Sequence, residues 1–577
     1  MIKKLIRQML TAQIFSALTV SLCLLIDSIM IGRFLGVQAI AAYGLANPIL
    51  LVIGAIGTML AAGVQVACSR SLGRGSQEET NKGFSSSFAL TFGISIPFVI
   101  LVLLFRGPVA TVMGAGTEGE LFASTSGYLA GFIVGAPATM GALILVPFLQ
   151  MAGQSGLLIA AVLTMTIADV AFDLLNVFVF HGGMFGMGLA SSLSYYAALI
   201  VGGIYFLSKK SVFRFSRKLV TKEKIREMFT AGIPAVFNMA SSVVLIYLMN
   251  RILLGTGGSV AVAAFSVIST IGNASNCITT GIGGVSLTVS GILYNEEDRN
   301  GLTEMIGLFV RYSVFLGLGV GVLLLIFAPY CVALFIPEAG PARTMAILGL
   351  RLYATGLIPC CINNAIKNAY QGTEKVRLTE IVSIVEGALL PGLTALILGT
   401  AIGTTGCWFY FVIGETLTLV LIALYARKKM GRPAWKDGAV LLLGDEFSVA
   451  PEDLLELDLR TVEGVTADAE RAGRFCKDHG RTESEANNIT LCIEEMGTYI
   501  IRHGFQNGKK ENHLSVRVLA KPDHWVLRFR DDCGAFDPIH YVPQEEEENL
   551  GIRLVLAIAS EVRYTYSLNL NNLTIIL

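Results

Sequence analysis

Three carboxylates stand where carboxylates are rare. Asp27 lies in the apolar stretch Val20–Pro48, VSLCLLIDSIMIGRFLGVQAIAAYGLANP, at the depth where a membrane helix passes the hydrocarbon. An ionised Asp there costs at least about 2.5–3.5 kcal/mol on insertion scales, so such a residue faces a cavity or a partner. Asp169 and Asp173 sit four apart in a second apolar run and share a helical face. Two like charges that close raise the proton affinity of one of them. Asn176 follows one turn on, and Asn250 and Glu386 are further polar residues inside apolar runs, Glu386 just before Pro391. The chemistry open to such a set is binding of a proton, a metal cation or a cationic organic compound. The structural alternative places Asp27 near a helix end, where it is simply hydrated. For Lys367 and Asn368 the sequence favours a bland role: they fall near a helix end, where the Lys snorkels to the interface.

The elements that must hold these residues are membrane helices. The chain has 577 residues, 53% hydrophobic and 15% charged, with mean hydropathy +0.65. Soluble domains run near 25% charged. The 43 basic and 43 acidic residues balance, which argues against a nucleic-acid partner. Acidic residues are sparse before about residue 440 and dense after it, and the apolar runs stop at the same place. Two parts of different solvent class follow. The ten cysteines form no CxxC pair and no metal-ligand spacing. No GxxxxGK[ST] loop occurs, which excludes a P-loop motor.

A bilayer needs about 20 apolar residues per helix. Twelve runs qualify, near 10–32, 46–68, 84–105, 127–150, 157–180, 187–208, 232–254, 262–290, 303–330, 344–370, 378–400 and 404–426. The first begins after MIKKLIRQ, has no clear cleavage site, and reads as a retained span. Positive charge concentrates in alternate loops: Lys3, Lys4 and Arg7; Arg70, Arg74 and Lys82; eight Lys or Arg between Lys209 and Arg226; and Arg427, Lys428, Lys429 and Arg432. The positive-inside rule then places both termini and the central loop in the cytoplasm, at the cell (inner) membrane. A weak internal repeat aligns DSIMIGRFLGVQAIAAYG from Asp27 with NRILLGTGGSVAVAAFS from Asn250, pairing Gly32 with Gly255. Two parallel six-helix halves with a site between them are a common transporter plan.

The buried Asp27, the Gly and the AIAAYGLANP run, with GVQVACSRSLGRG at Gly63–Gly75, resemble multidrug and toxic compound extrusion (MATE) transporters over about the first three quarters of the chain. The resemblance implies two six-helix bundles that rock about a central site, and export of an organic, drug-like cation in exchange for H+ or Na+. The family often has an Asn and an Asp near Asp173 and Asn176.

The remainder changes character. A basic linker with the short run VLLLG leads to a strand at Leu454–Arg460, a helix through Ala467–His479, a second helix from Glu483 to Gly504, two alternating strands, HLSVRVLA and HWVLRFRDD, a final helix from Leu550 and a closing strand. This alternation reads as an α/β sandwich. Its order resembles the kinase-type ATPase fold of anti-sigma-factor serine kinases and histidine kinases. The resemblance rests on Glu495 and His503 on the second helix, Asp532, Gly534 and Asp537–Pro538 in a DxGxxFDP-like loop, and Gly551. It implies that Glu495 is a general base, that Asp532 holds adenine, and that ATP with Mg2+ binds nearby. Two departures oppose turnover. Tyr499 stands where the family keeps a metal-binding Asn, and a phenol is a poor magnesium ligand. Glu545–Glu548 would repel phosphates.

The expected fold is an all-α polytopic membrane protein of 12 helices in two six-helix bundles (1–208 and 231–426, joined by a basic loop 209–230), a linker at 427–450, and an α/β sandwich of the histidine-kinase-like ATPase type at 451–577. The expected function is secondary antiport within the lipid bilayer. The tail is expected to regulate it or to bind a cytoplasmic protein. A membrane sensor signalling through the tail, and a lipid or precursor flippase, are the alternatives.

Overall fold

The computed structural model describes residues 2–35, 37–208, 211–336, 339–444, 446–505, 512–537 and 550–577. Among them, nine helices are long and apolar enough to cross a membrane, and eleven elements are when each of two bent pairs counts as one span. The first helix, Ile2–Met30, is 29 residues long and stands beside the helix Ser155–Leu175 and the long helical segment Lys222–Asn295. The bends have local causes. Glu120–Ile133 and Ala136–Met151 meet at 46° just before Pro137, and Pro341–Thr355 and Leu357–Gly372 meet at 47° just before Pro359. Proline removes a helical N–H and clashes with the preceding turn, so each span breaks where its sequence carries that residue. The seventh and eighth spans, Lys222–Gly258 and Val260–Asn295, are separated by Gly258, whose φ of 66° only glycine adopts at little steric cost.

The outer faces carry the apolar side chains a bilayer requires. Phe315, Ile326 and Tyr330 on the ninth span, and Leu393 and Ile397 on the eleventh, are exposed. Inside, the largest core joins the two halves: Ile6, Leu60, Val64 and Phe148 from the first pack in one cluster with Ile282, Val289, Ile362 and Ile366 from the second.

The halves meet at the ends of the helices that lie nearest the tail. Gln65 of the second span donates to the Gly284 carbonyl of the eighth at 2.7 Å and also pairs with Thr288. Arg70 pairs with Glu374 at 3.1 Å and with Glu227 at 3.7 Å. Arg74 donates to Asn295 at 3.0 Å, and Lys224 pairs with Glu79 at 3.2 Å. Glycines allow the approach: a Cβ on Gly63 would run into the Met228 carbonyl, and one on Gly232 into that of Met59. This tail-side face is closed.

The tail is a five-stranded antiparallel sheet, order β1-β2-β3-β5-β4, with β1 Leu454–Leu459, β2 Leu514–Ala520, β3 Trp525–Asp531, β4 Glu561–Ser567 and β5 Leu570–Ile576. Three helices, Val462–Asp478, Glu483–Tyr499 and Leu550–Ile558, pack on one face over a core that includes Leu457, Ile493, Val516, Leu527 and Ile575. The helix at Glu483 starts with a capping box, Thr482 and Glu485 exchanging hydrogen bonds. The sequence reading found four of the five strands; β4, EVRYTYS, was not recognised. The short VLLLG run does not span. It forms a tight turn whose Val440–Leu443 are buried against the transmembrane core.

Because the Gly63 contact is backbone against backbone, a larger residue has nowhere to go. Gly63→Val is expected to destabilise the closed form by about 1–3 kcal/mol, measured as a lower melting temperature of the detergent-solubilised protein. An unchanged melting temperature would mean that the two halves do not meet there.

Candidate functional site

The first half gathers three of the expected residues. Asp27, Asp169 and Asp173 are 6%, 4% and 0% exposed, in a bundle formed by the first, fifth (Ser155–Leu175) and sixth (Gly183–Leu207) spans. The Asp27 and Asp169 carboxyl groups are within hydrogen-bonding reach of each other. Ser191 donates to Asp27 Oδ2 at 3.4 Å, and the Ser194 hydroxyl, near Asp169, donates to the Ser191 carbonyl at 2.8 Å. Both oxygens of Asp173, and one each of Asp27 and Asp169, have no hydrogen-bond partner. Among the described residues no Lys or Arg pairs with any of the three. Two carboxylates in contact in a dry site require a shared proton or a cation between them. The chain just past Asp27 winds into a π-helical turn, Ile31–Leu35, a distortion often found at functional sites.

Asn176 does not join them. Its Oδ1 accepts from the Gly182 N–H and its Nδ2 donates to the Gly183 carbonyl, both at 3.1 Å. The amide is engaged in pinning the loop between the fifth and sixth spans. Asn250 is half-buried on the seventh span, outside both charged clusters.

The second half holds a different arrangement. Glu386 lies in a π-helical turn, Val385–Leu389, and is 7% exposed. Its carboxylate pairs with Lys367 at 3.2 Å and accepts from Asn364 Nδ2 at the same distance. Lys367 also donates to Asn238 Oδ1 at 3.1 Å. The expectation that Lys367 snorkels is overturned. It is 5% exposed and points into the protein, because a buried carboxylate one helix away offers a stronger partner than the interface does. Glu415 is also buried, and its carboxylate accepts from Asn363 Nδ2 at 2.8 Å. Cys360, Glu386 and Glu415 bring one ligand atom each within 4.8 Å of one another. Two acids with one Lys leave room for one further positive charge. Glu415 was visible in the sequence as a carboxylate in the twelfth span; its neighbourhood with Glu386 was not, because 29 residues separate them.

Lys367 links this cluster to the space between the halves. A cavity of about 480 Å3 is lined from the first half by Gln13, Gln65 and Gln150, and from the second by Asn276, Asn364 and Lys367. A second cavity of about 260 Å3 continues past Lys367 to Glu386, Glu415 and Tyr410. An amide-lined chamber between two six-helix halves, with acids set behind its walls, suits an organic molecule better than a bare ion.

The MatE family profile matches residues 12–175 and 234–391. The chain belongs to the MatE family. Its tail, residues 456–577, matches the histidine kinase-like ATPase domain. This MATE transporter is 26% identical over 429 residues to the multidrug export protein MepA of Staphylococcus aureus strain bovine RF122 / ET3-1, covering 72% of this chain and 88% of the relative. It is 25% identical to the MepA of Staphylococcus saprophyticus over 423 residues, with the same coverage. Its fold is similar to a structure titled as the outward-facing conformation of a multidrug resistance MATE family transporter, with TM-score 0.69, 20% identity, and 75% and 97% of the two chains covered. It is also similar to a MOP superfamily transporter from Pyrococcus furiosus, with TM-score 0.68, 20% identity and the same coverage.

The nucleotide motifs fall on the helix-covered side of the tail. Glu495 lies directly under Gly551, so closely that a Cβ there would overlap its carboxylate. The Tyr499 ring stacks on Phe536 at 4.8 Å and lies 4.3 Å from the His503 ring. Asp532 accepts from the His513 N–H at 3.0 Å, and the Gly534 carbonyl accepts from Asn571 at 2.9 Å. The buried acid of this loop is its neighbour Asp531, which accepts from Asn571 and from the Cys533 N–H; burial pushes its carboxyl up from the ordinary range. Glu545–Glu548 lie outside the described residues. The residues present thus fit a metal–nucleotide poorly: an aromatic stack stands where the resemblance puts a metal-binding Asn, and the Glu495 carboxylate lies against Gly551.

Lys367→Met leaves Glu386 buried without its cation, and the expected loss of stability is about 3–5 kcal/mol. Lys367→Met with Glu386→Gln should recover most of it. Melting of the purified protein checks both; equal losses in the single and double variants would show that the pair is not coupled.

Proposed function

We propose that this MATE transporter is a secondary antiporter that exports organic, drug-like cations in exchange for H+ or Na+. The observation that carries this reading is the group Asp27, Asp169 and Asp173, buried together without a basic partner. A cation, whether the coupling ion or the substrate, neutralises the group, and the two compete for it. Export of drugs is supported by the similarity to the multidrug export protein MepA of two staphylococci. The tail-side face is the cytoplasmic one, because Arg70, Arg74, Lys82 and the basic residues of the central loop lie there and cytoplasmic loops carry the excess of Lys and Arg. With that face closed, the chamber belongs to the outward-facing half of the cycle. Asn250 has no part in it. Glu386, with Glu415 and Lys367, binds the substrate or a second proton at the back of the chamber.

The tail, on this reading, is a regulatory domain that has lost ATP turnover. Glu495 has no metal-bound nucleotide to act on, since Tyr499 and Phe536 close the metal position. The purified full chain is expected to release no phosphate from ATP and Mg2+; turnover that Glu495→Gln abolishes would reverse this assignment.

Efflux of a cationic dye from vesicles under an imposed gradient is the test of antiport. Asp27→Asn and Asp169→Asn are each expected to reduce it by roughly a hundredfold, the scale of about 2.7 kcal/mol of lost coupling. Varying pH and sodium separately then names the ion. Equal efflux by wild type and both variants, at matched expression, would move the coupling site to Glu386 and Glu415.

A further inference from the structure

The tail does not hang free of the transporter. Its uncovered sheet face carries a cross-strand row, with Glu456 opposite Arg517, Arg517 opposite Arg528, and Arg530 one pair further along. Two arginines directly opposite on adjacent strands repel, so an isolated domain gains nothing from this pattern. The row is answered by three consecutive acids, Glu296, Glu297 and Asp298, in the loop between the eighth and ninth spans of the second half. Arg530 pairs with Glu296 and, at 3.5 Å, with Asp298. Arg517 pairs with Asp298 at 3.3 Å, and Lys521 with Glu297 at 2.6 Å. Glu296 and Asp298 are 6% and 4% exposed, so these are not loose surface pairs. Burial alone would push both acids up; beside Arg517 and Arg530 the Asp298 carboxyl is instead held below the ordinary range.

The same sheet also grips the first half. The turn between β4 and β5 is Leu568–Asn569, with φ of 57° and 61°. Such a turn favours Asn or Gly, and a Leu in the left-handed region is strained by roughly 1–2 kcal/mol. Its side chain explains the choice: it is 5% exposed and belongs to the transmembrane core, beside Leu5 of the first span and Val289, Ile292 and Leu293 of the eighth. The Leu568 N–H donates to the carbonyl of Met151, the last residue of the fourth span, at 2.7 Å, and Asn569 Nδ2 donates to the Gly153 carbonyl in the loop that follows at 2.9 Å. Arg563 of β4 reaches the Arg74 carbonyl at 3.4 Å.

We propose that the tail is a latch: one rigid sheet holds the loops of both six-helix halves, keeps the tail-side face closed, and must release at least one half before that face can open. This rests on the reading that the halves rock to alternate access. Opening must separate Gln65 and Arg74 from Thr288 and Asn295, and the sheet is fastened to the helices on both sides of that seam. Anything that binds the undocked tail more tightly than the docked one then promotes the inward-facing state, and anything that prefers the docked tail holds the transporter outward-facing.

The test uses the full chain carrying Thr288→Cys, a position fully buried in the closed seam. Inside-out vesicles are treated with a membrane-impermeant maleimide, and the rate of modification at position 288 is read by mass spectrometry. Leu568→Asn suits the hairpin better than Leu does, so it spares the tail's fold while removing the wedge. It and Arg530→Glu are each expected to raise the rate about fivefold or more, the lower end of ordinary coupling between sites. Combining Arg530→Glu with Glu296→Arg should return it toward the starting value. Rates unchanged in both single variants would overturn the latch, as would a rise that the charge swap does not reverse. The readout does not depend on efflux, so a failure of the antiporter reading is seen separately, in the dye assay.

Discussion

A carboxylate in hydrocarbon must be neutralised, and this molecule meets that requirement in two ways. In the second half Glu386 is neutralised permanently by Lys367. In the first half no Lys or Arg among the described residues pairs with Asp27, Asp169 or Asp173, so a neutralising proton or cation has to come from outside. On the antiporter reading, a site that needs an occupant able to leave is a site suited to a transport cycle. The architecture fits that reading: two bundles, a chamber between them, and a seam closed on the tail side.

The asymmetry between the halves matters to what the chamber can accept. Lys367 faces the chamber from the second half while its charge is shared with Glu386 and Asn238. The chamber wall is otherwise a mix of apolar and hydroxyl side chains with amides set among them, Gln13, Gln65, Gln150, Asn276 and Asn364 included. Amides offer both donors and acceptors and impose no charge of their own. On the antiporter reading, such a wall suits substrates of varied shape, and discrimination by charge falls to Glu386 and Glu415 behind it.

Much of this was legible in the sequence. Hydropathy marks twelve runs, eleven of which match spanning elements among the described residues when the two bent pairs are counted, and period-two alternation marks four of the tail's strands. The strand that escaped, β4, has the pattern EVRYTYS, whose charged and aromatic residues face the transporter on one side and the tail's core on the other. Asp27, Asp169 and Asp173 were found because a charge in an apolar run needs no alignment to be conspicuous. Asn176 was conspicuous for the same reason, yet its amide ties down a loop, since an Asn beside a turn has backbone groups within reach. Lys367 was misjudged because snorkelling is decided by what a Lys meets within the bundle, and Glu386 is a different helix's residue. Partners brought together by packing are invisible to spacing along one helix.

The tail makes the same point about surfaces. Alternating residues of β2 and β3 place Arg517, Arg528 and Arg530 on one face, a pattern readable from the sequence as a charged strand face and nothing more. Only the neighbouring loop gives it meaning. A buried ion pair roughly offsets its own desolvation when its geometry is good, and removing one partner is strongly destabilising. The docked tail therefore has a sharply defined position: a displacement of a few ångströms would leave Glu296 and Asp298 buried opposite nothing. A contact of that kind holds fully or not at all, which is the property a switch requires. A domain with one face fastened to a transporter then has a physical rationale without any turnover of ATP, because a partner that binds only the docked or only the undocked tail is enough to shift a two-state equilibrium.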